Sequence, residues 1–189
     1  LKFLNNNAIS KEGHLEGKEL IDMDADKCVF RFDSSGFFIK GTNKTEIKQY
    51  PVVEVTWYGA IKYCNWKSEQ DGLTPCYEIG NSSISCDWNA NGYRLLTEAE
   101  WEYAARAKGR TNRKWSGTNN ENELAMYCIY AYNSEGKINR IGTKKPNDIG
   151  LYDMSGNAYE WCWDWYDEYP SKEQNNPVGP SKGRRRITR

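Results

Sequence analysis

At 189 residues the chain has the length of one core, and its 38% apolar content lies below the usual range for a globular protein. Eight Trp, thirteen Tyr and five Phe offset that deficit with large rings and exclude a disordered chain. The 26 basic and 26 acidic residues balance, which excludes a chain-wide footprint for nucleic acid, and no apolar run nears the ~18 residues of a membrane span.

Residues 1–7 read as the end of a helix stopped by Asn5-Asn6-Asn7, without the apolar core of a signal peptide. Residues 18–24, 28–33 and 36–40 read as extended pieces, with Ser34-Ser35-Gly36 turning between the last two. The first strong helix starts after Thr56, an N-cap, because Trp57, Ala60, Ile61 and Cys64 recur at helical spacing; Asp71-Gly72 stops it. Trp57 and Trp66 read as core rings, and Cys64 as a small buried hydrophobe.

Cys76 and Cys86 flank a short hairpin and are the best disulfide candidate among six cysteines. No C-x-x-C pair occurs and His14 is the one histidine, so zinc-site spacing is absent. A second helix starts at Thr97-Glu98-Ala99-Glu100, a capping box, buries Trp101, Ala104 and Ala105, and ends at Gly109. Arg94, just before it, reads as one half of a structural salt bridge or as a substrate contact.

Residues 110–150 show no sustained period and read as ordered loops with short strands. A last strand is expected over 159–165, then a turn-rich segment carrying Pro170, Pro177 and Pro180. The basic run Arg184, Arg185 and Arg186 reads as a solvated strand edge or loop. Two main helices among short strands and long ordered loops predict an α+β fold, in a single domain over 1–189.

Three blocks carry a resemblance. The first is Pro51-Val52-Val53-Glu54-Val55-Thr56-Trp57-Tyr58-Gly59-Ala60 with Tyr63-Cys64-Asn65-Trp66. The second runs from Gly92-Tyr93-Arg94-Leu95-Leu96 through Thr97-Glu98-Ala99-Glu100-Trp101-Glu102 to Arg106. The third is Asn147-Asp148-Ile149-Gly150-Leu151-Tyr152-Asp153-Met154-Ser155-Gly156-Asn157-Ala158-Tyr159-Glu160-Trp161. In order and spacing they resemble the formylglycine-generating-enzyme, or sulfatase-modifying-factor, family, which implies a C-type-lectin-like fold.

The same resemblance implies that Asp153, Gly156, Ala158 and Glu160 form a calcium site. Two carboxylates and two carbonyls on a glycine turn suit Ca²⁺. The plainer alternative is that Asp153 caps a turn while Glu160 makes a buried hydrogen bond. Residues 125–145 offer no match to the family's other calcium site. The family oxidises a substrate cysteine to formylglycine with copper and oxygen, through a cysteine pair on a strand expected beyond Arg189. The resemblance thus implies a domain truncated at both ends, inactive as an oxidase as given, with copper present only where that downstream pair exists. Cys162 reads as a packed thiol outside that chemistry.

Three functions follow as expectations. The parent is an oxidase acting on a sulfatase cysteine peptide, or a binding module for a protein or peptide ligand, as in retroelement-diversified variable proteins. As a third, the domain is a structural part of a bacterial lipoprotein or multidomain enzyme. An extracytoplasmic location is the expectation from the calcium motif and the Cys76–Cys86 candidate.

Overall fold

Among the described residues the named strands form four antiparallel pairs, each closed by a turn or a returning segment. The computed structural model describes residues 1–41, 47–81 and 83–189. They fall into two compact units, Leu1–Lys44 with Val52–Leu95, and Thr45–Pro51 with Leu96–Arg189. Among the described residues no helix is long and apolar enough to cross a membrane.

In the first unit, α1 (Lys2–Asn6) buries Phe3 and Leu4. Strands β1 (His14–Leu15) and β2 (Lys18–Glu19) meet across Glu16-Gly17, both at positive φ (52° and 75°), as a tight two-residue hairpin turn requires. Strands β3 (Phe30–Asp33) and β4 (Gly36–Ile39) pair with Asp33 opposite Gly36, and the Asp33 carboxylate accepts from the Ser35 amide at 2.8 Å.

Helix α2 (Trp57–Gln70) starts where expected: the Thr56 hydroxyl accepts from the Gly59 amide at 3.0 Å. Phe3, Leu4, Leu20, Ile21, Phe30 and Phe37 form the core, and Trp66 packs on it, 5.6 Å from the Phe3 ring. Trp57 is buried and Ile61 fully so. Arg94 stacks over Trp88 at 5.0 Å and donates to the Leu95 carbonyl.

The extended stretch expected over 18–24 is shorter. Only Lys18–Glu19 forms a ladder; Ile21 then bridges Val55, and the Asp22 carboxylate turns the chain by accepting from the Asp24 and Ala25 amides. The hairpin between the two candidate cysteines is present as β5 (Tyr77–Ile79) and β6 (Ile84–Cys86), pinned to α2 by the Asn65 amide, which bonds both main-chain groups of Tyr77. The bridge is not. Cys86 lies opposite Tyr77 while Cys76 lies opposite Asp87, whose amide donates to the Cys76 carbonyl, so the two side chains fall on opposite faces of the ribbon. Neither is in a disulfide. Burial, then neighbouring Cys76, pushes the Cys64 thiol up to about 11.

In the second unit, α3 (Glu98–Ala105) carries the complete capping box, with Glu100 Oε2 accepting from the Thr97 amide and Thr97 Oγ1 from the Glu100 amide. It stops at Ala105 rather than Gly109, since Ala107 and Lys108 already take positive φ. The region 110–150 holds helices where short strands were expected. A 3₁₀ turn (Glu121–Glu123), capped by the Asn120 side chain, leads into α4 (Leu124–Tyr127); a four-residue helix is too short to show a period.

Strand β7 (Trp161–Trp165) pairs with β8 (Arg186–Thr188), with an irregularity in register between Trp161 and Trp165. Of the basic run only Arg186 enters the strand, its guanidinium 3.6 Å from the Trp165 ring centre, while Arg184 and Arg185 are exposed in the loop before it.

The interior of this unit is built of small groups, among them Ala105, Ala107, Cys128, Ile129 and Cys162, and of buried polar residues, Thr97, Thr118, Asn147 and Asp164. Asp164 Oδ2 accepts from the Glu98 amide at 2.8 Å, but burial pushes its carboxyl above the usual range. The fold therefore favours the protonated form, whose contribution is fully present below the unfolded pKa and is lost as pH rises through the raised one. Urea unfolding of wild type and Asp164→Asn should show the difference between them moving in favour of wild type as pH falls from 7 towards 4. A difference that is flat or moves the other way would contradict this.

Candidate functional site

The four residues expected to hold calcium line one cavity of about 640 Å³ in the second unit, together with Trp101, Trp115, Tyr130 and Tyr159. Asn147, 6% exposed, ties two of its lining residues, Ala105 and Ser116, together. The Asn147 Oδ1 accepts from the Ile149 and Leu151 amides at 3.1 Å each, and its Nδ2 donates to the Ala104 carbonyl (2.9 Å) and to Ser116 Oγ (3.2 Å). One side chain thus joins the end of α3, the 116 loop and the turn leading to Asp153.

Asp153 stands at φ 55°, and its Oδ2 accepts from the Gly142 amide at 2.7 Å. Gly156, at φ 89°, brings the backbone against Ile129: a Cβ there would lie 2.0 Å from the Ile129 oxygen. That oxygen accepts from the Asn157 amide at 2.9 Å, and the Asn157 side chain trades two bonds with the backbone of Asn139. The Ala158 amide donates to the Gly156 carbonyl at 3.0 Å. Glu160 pairs its backbone with Arg189 in both directions, at 2.8 and 3.0 Å, and its Oε2 accepts from the Trp101 indole at 2.6 Å.

Electrostatically the two carboxylates are uncompensated. Neither forms an ion pair with a described residue, while Arg189, close by, is held by Glu98 and Glu102 instead. Burial raises the Glu160 carboxyl, the indole bond lowers it, and the charge of Asp153 raises it further. Among the described residues no group of three or more His, Cys, Asp or Glu side chains is placed to hold a metal. A cation here needs main-chain oxygens for the rest of its shell, which suits calcium and does not suit zinc or copper.

Trp101, Tyr159 and Arg189 escaped the sequence reading. Trp101 reads as one more apolar helix position, and nothing local marks its N–H as a donor to a residue 59 positions away. Tyr159 is 86% exposed between Ala158 and Glu160; a large ring that strand periodicity turns outward was the available signal. A second cavity of about 960 Å³ lies beside Glu98, Asp164, Tyr169 and Arg189, where the Tyr169 hydroxyl donates to Glu98 at 2.8 Å.

Residues 8–189 match the model of the sulfatase-modifying factor enzyme 1-like domain. The chaperone protein LppX of Paenibacillus barcinonensis is 33% identical, over 79% of this chain and 74% of its own length. The formylglycine-generating enzyme of Bos taurus is 30% identical over 73% of this chain, which spans 33% of that enzyme. Among solved structures, Treponema denticola variable protein 1 superposes with a TM-score of 0.69 at 40% identity, covering 75% of this chain and 59% of its own.

Proposed function

The chain belongs to the sulfatase-modifying factor enzyme 1-like family, and we propose that this domain recognises a protein or peptide ligand through the ring-walled cavity beside residues 153–160, on a turn braced by a structural calcium ion. The observation that carries the reading is Tyr159. It is 86% exposed, and its chain neighbours are two of the four residues assigned to the ion, so the binding ring and the metal ligands share one turn. Asp153 and Glu160 supply carboxylate oxygens, and Gly156 and Ala158 supply carbonyls. When bound, the ion neutralises the two acids and stiffens the turn. Tyrosine and tryptophan rings give large contact area at low entropy cost, which is why they dominate recognition surfaces.

Oxidation of a substrate cysteine is the second reading, favoured by the likeness to formylglycine-generating enzyme. The thiols described in this unit do not fit a copper–thiolate pair. Cys162 is fully buried, and burial pushes it up to about 12; Cys128 is buried and also raised.

Calcium at about a hundredfold over its Kd should stabilise the wild type by roughly 2.7 kcal/mol, a rise of several degrees in Tm. Asp153→Ala with Glu160→Ala should abolish the rise, and a wild-type Tm indifferent to calcium would remove the ion from the proposal. Peptides selected from a random display library on the wild type should bind Tyr159→Ala at least tenfold more weakly. Undiminished binding would sink the cavity as the recognition site, and aldehyde formed in a cysteine peptide supplied with copper and oxygen would put the second reading in its place.

A further inference from the structure

We infer that Trp101 is the positioning residue of the calcium site, holding Glu160 ready for the cation through a neutral donor. This rests on the calcium reading above. Its support is a closed circuit of contacts. The Trp101 Nε1–H donates to Glu160 Oε2 at 2.6 Å, and the Arg189 guanidinium lies 5.0 Å from the same indole ring. Arg189 in turn is held by Glu98 (3.2 Å) and Glu102, both on α3 as Trp101 is, and its backbone pairs with that of Glu160 in both directions.

Glu160 needs such a hold. Its side chain has three rotatable torsions, belongs to an exposed residue, and feels the like charge of Asp153. The indole fixes one oxygen; the other accepts no hydrogen bond from the described residues and is available to a cation. A neutral donor matters, because a guanidinium in its place would neutralise the carboxylate and compete with the metal. Among the described residues Arg189 is the cation whose backbone is tied to Glu160, and Glu98 with Glu102 draw its charge away. Outer-shell donors of this kind typically change metal affinity 10–100-fold.

Trp101→Phe keeps a ring under Arg189 and removes the N–H. Titrated with Ca²⁺ by calorimetry, it should bind about 10- to 100-fold more weakly than wild type, with a calcium-free Tm close to that of wild type. A second measurement needs no variant: in wild type labelled with ¹⁵N-tryptophan, the Trp101 indole N–H resonance should move in step with calcium saturation. Wild-type affinity in Trp101→Phe, or an indole resonance unmoved at saturation, would overturn the positioning role while leaving the site intact. Absence of calcium binding by wild type would overturn the site and this role together.

Discussion

Gly156→Ala is expected to cost the protein about 4 kcal/mol and to erase its response to calcium. Two penalties act together. The residue sits at φ 89°, which side chains other than glycine rarely adopt, and its Cβ would lie 2.0 Å from the Ile129 oxygen and 3.1 Å from Cys128 Sγ. The backbone must therefore retreat, which breaks the Gly156–Ile129 bridge and the Asn157–Ile129 hydrogen bond. Gly150→Ala is the control. Its φ is 82°, but nothing lies within 4 Å of the added carbon, so only the conformational strain of about 1–2 kcal/mol remains. Urea unfolding of the pair separates close approach from strain; equal losses would show that the contact with Ile129 contributes nothing.

Asn147→Ala should cost a comparable ~3–5 kcal/mol. The substitution leaves the Ile149 and Leu151 amides without their side-chain acceptor and the Ala104 carbonyl without its donor, in a place where Asn147 itself is 6% exposed. Leu cannot rescue it, having the volume without the amide; Asp should recover part, since it restores the acceptor side alone. A loss below ~1 kcal/mol for Asn147→Ala would mean that water replaces the amide, and that the turn does not depend on it.

What the sequence disclosed follows the range of the forces involved. The starts of both main helices were legible because a cap and its partner lie three residues apart, as at Thr56 with Gly59 and Thr97 with Glu100. The hairpin of Tyr77 and Cys86 was legible for the same reason. The disulfide was not, because it turned on a one-residue register that pattern leaves open. The helix at Leu124–Tyr127 was missed because one turn shows no periodicity.

Asp153, Gly156, Ala158 and Glu160 were singled out by a motif, and they line one cavity. Trp101 and Arg189 were not found, since their contacts with Glu160 and Glu98 span 59 and 91 positions. Such pairings arise from packing and leave no local mark.

The exposed tyrosines carry a consequence for how the domain tolerates change. Tyr132 is 93% exposed and Tyr159 is 86% exposed, so neither ring has much to lose when replaced. Surface substitutions of this kind usually alter stability by less than about 0.5 kcal/mol. Gly156, three positions before Tyr159, and Asn147, bonded to Ala105 and Ser116 of the same cavity, tolerate far less. Heredity can therefore rewrite Tyr159 on the cavity's lining while the turn behind it stays fixed, and a lineage could acquire new ligands without passing through an unfolded ancestor.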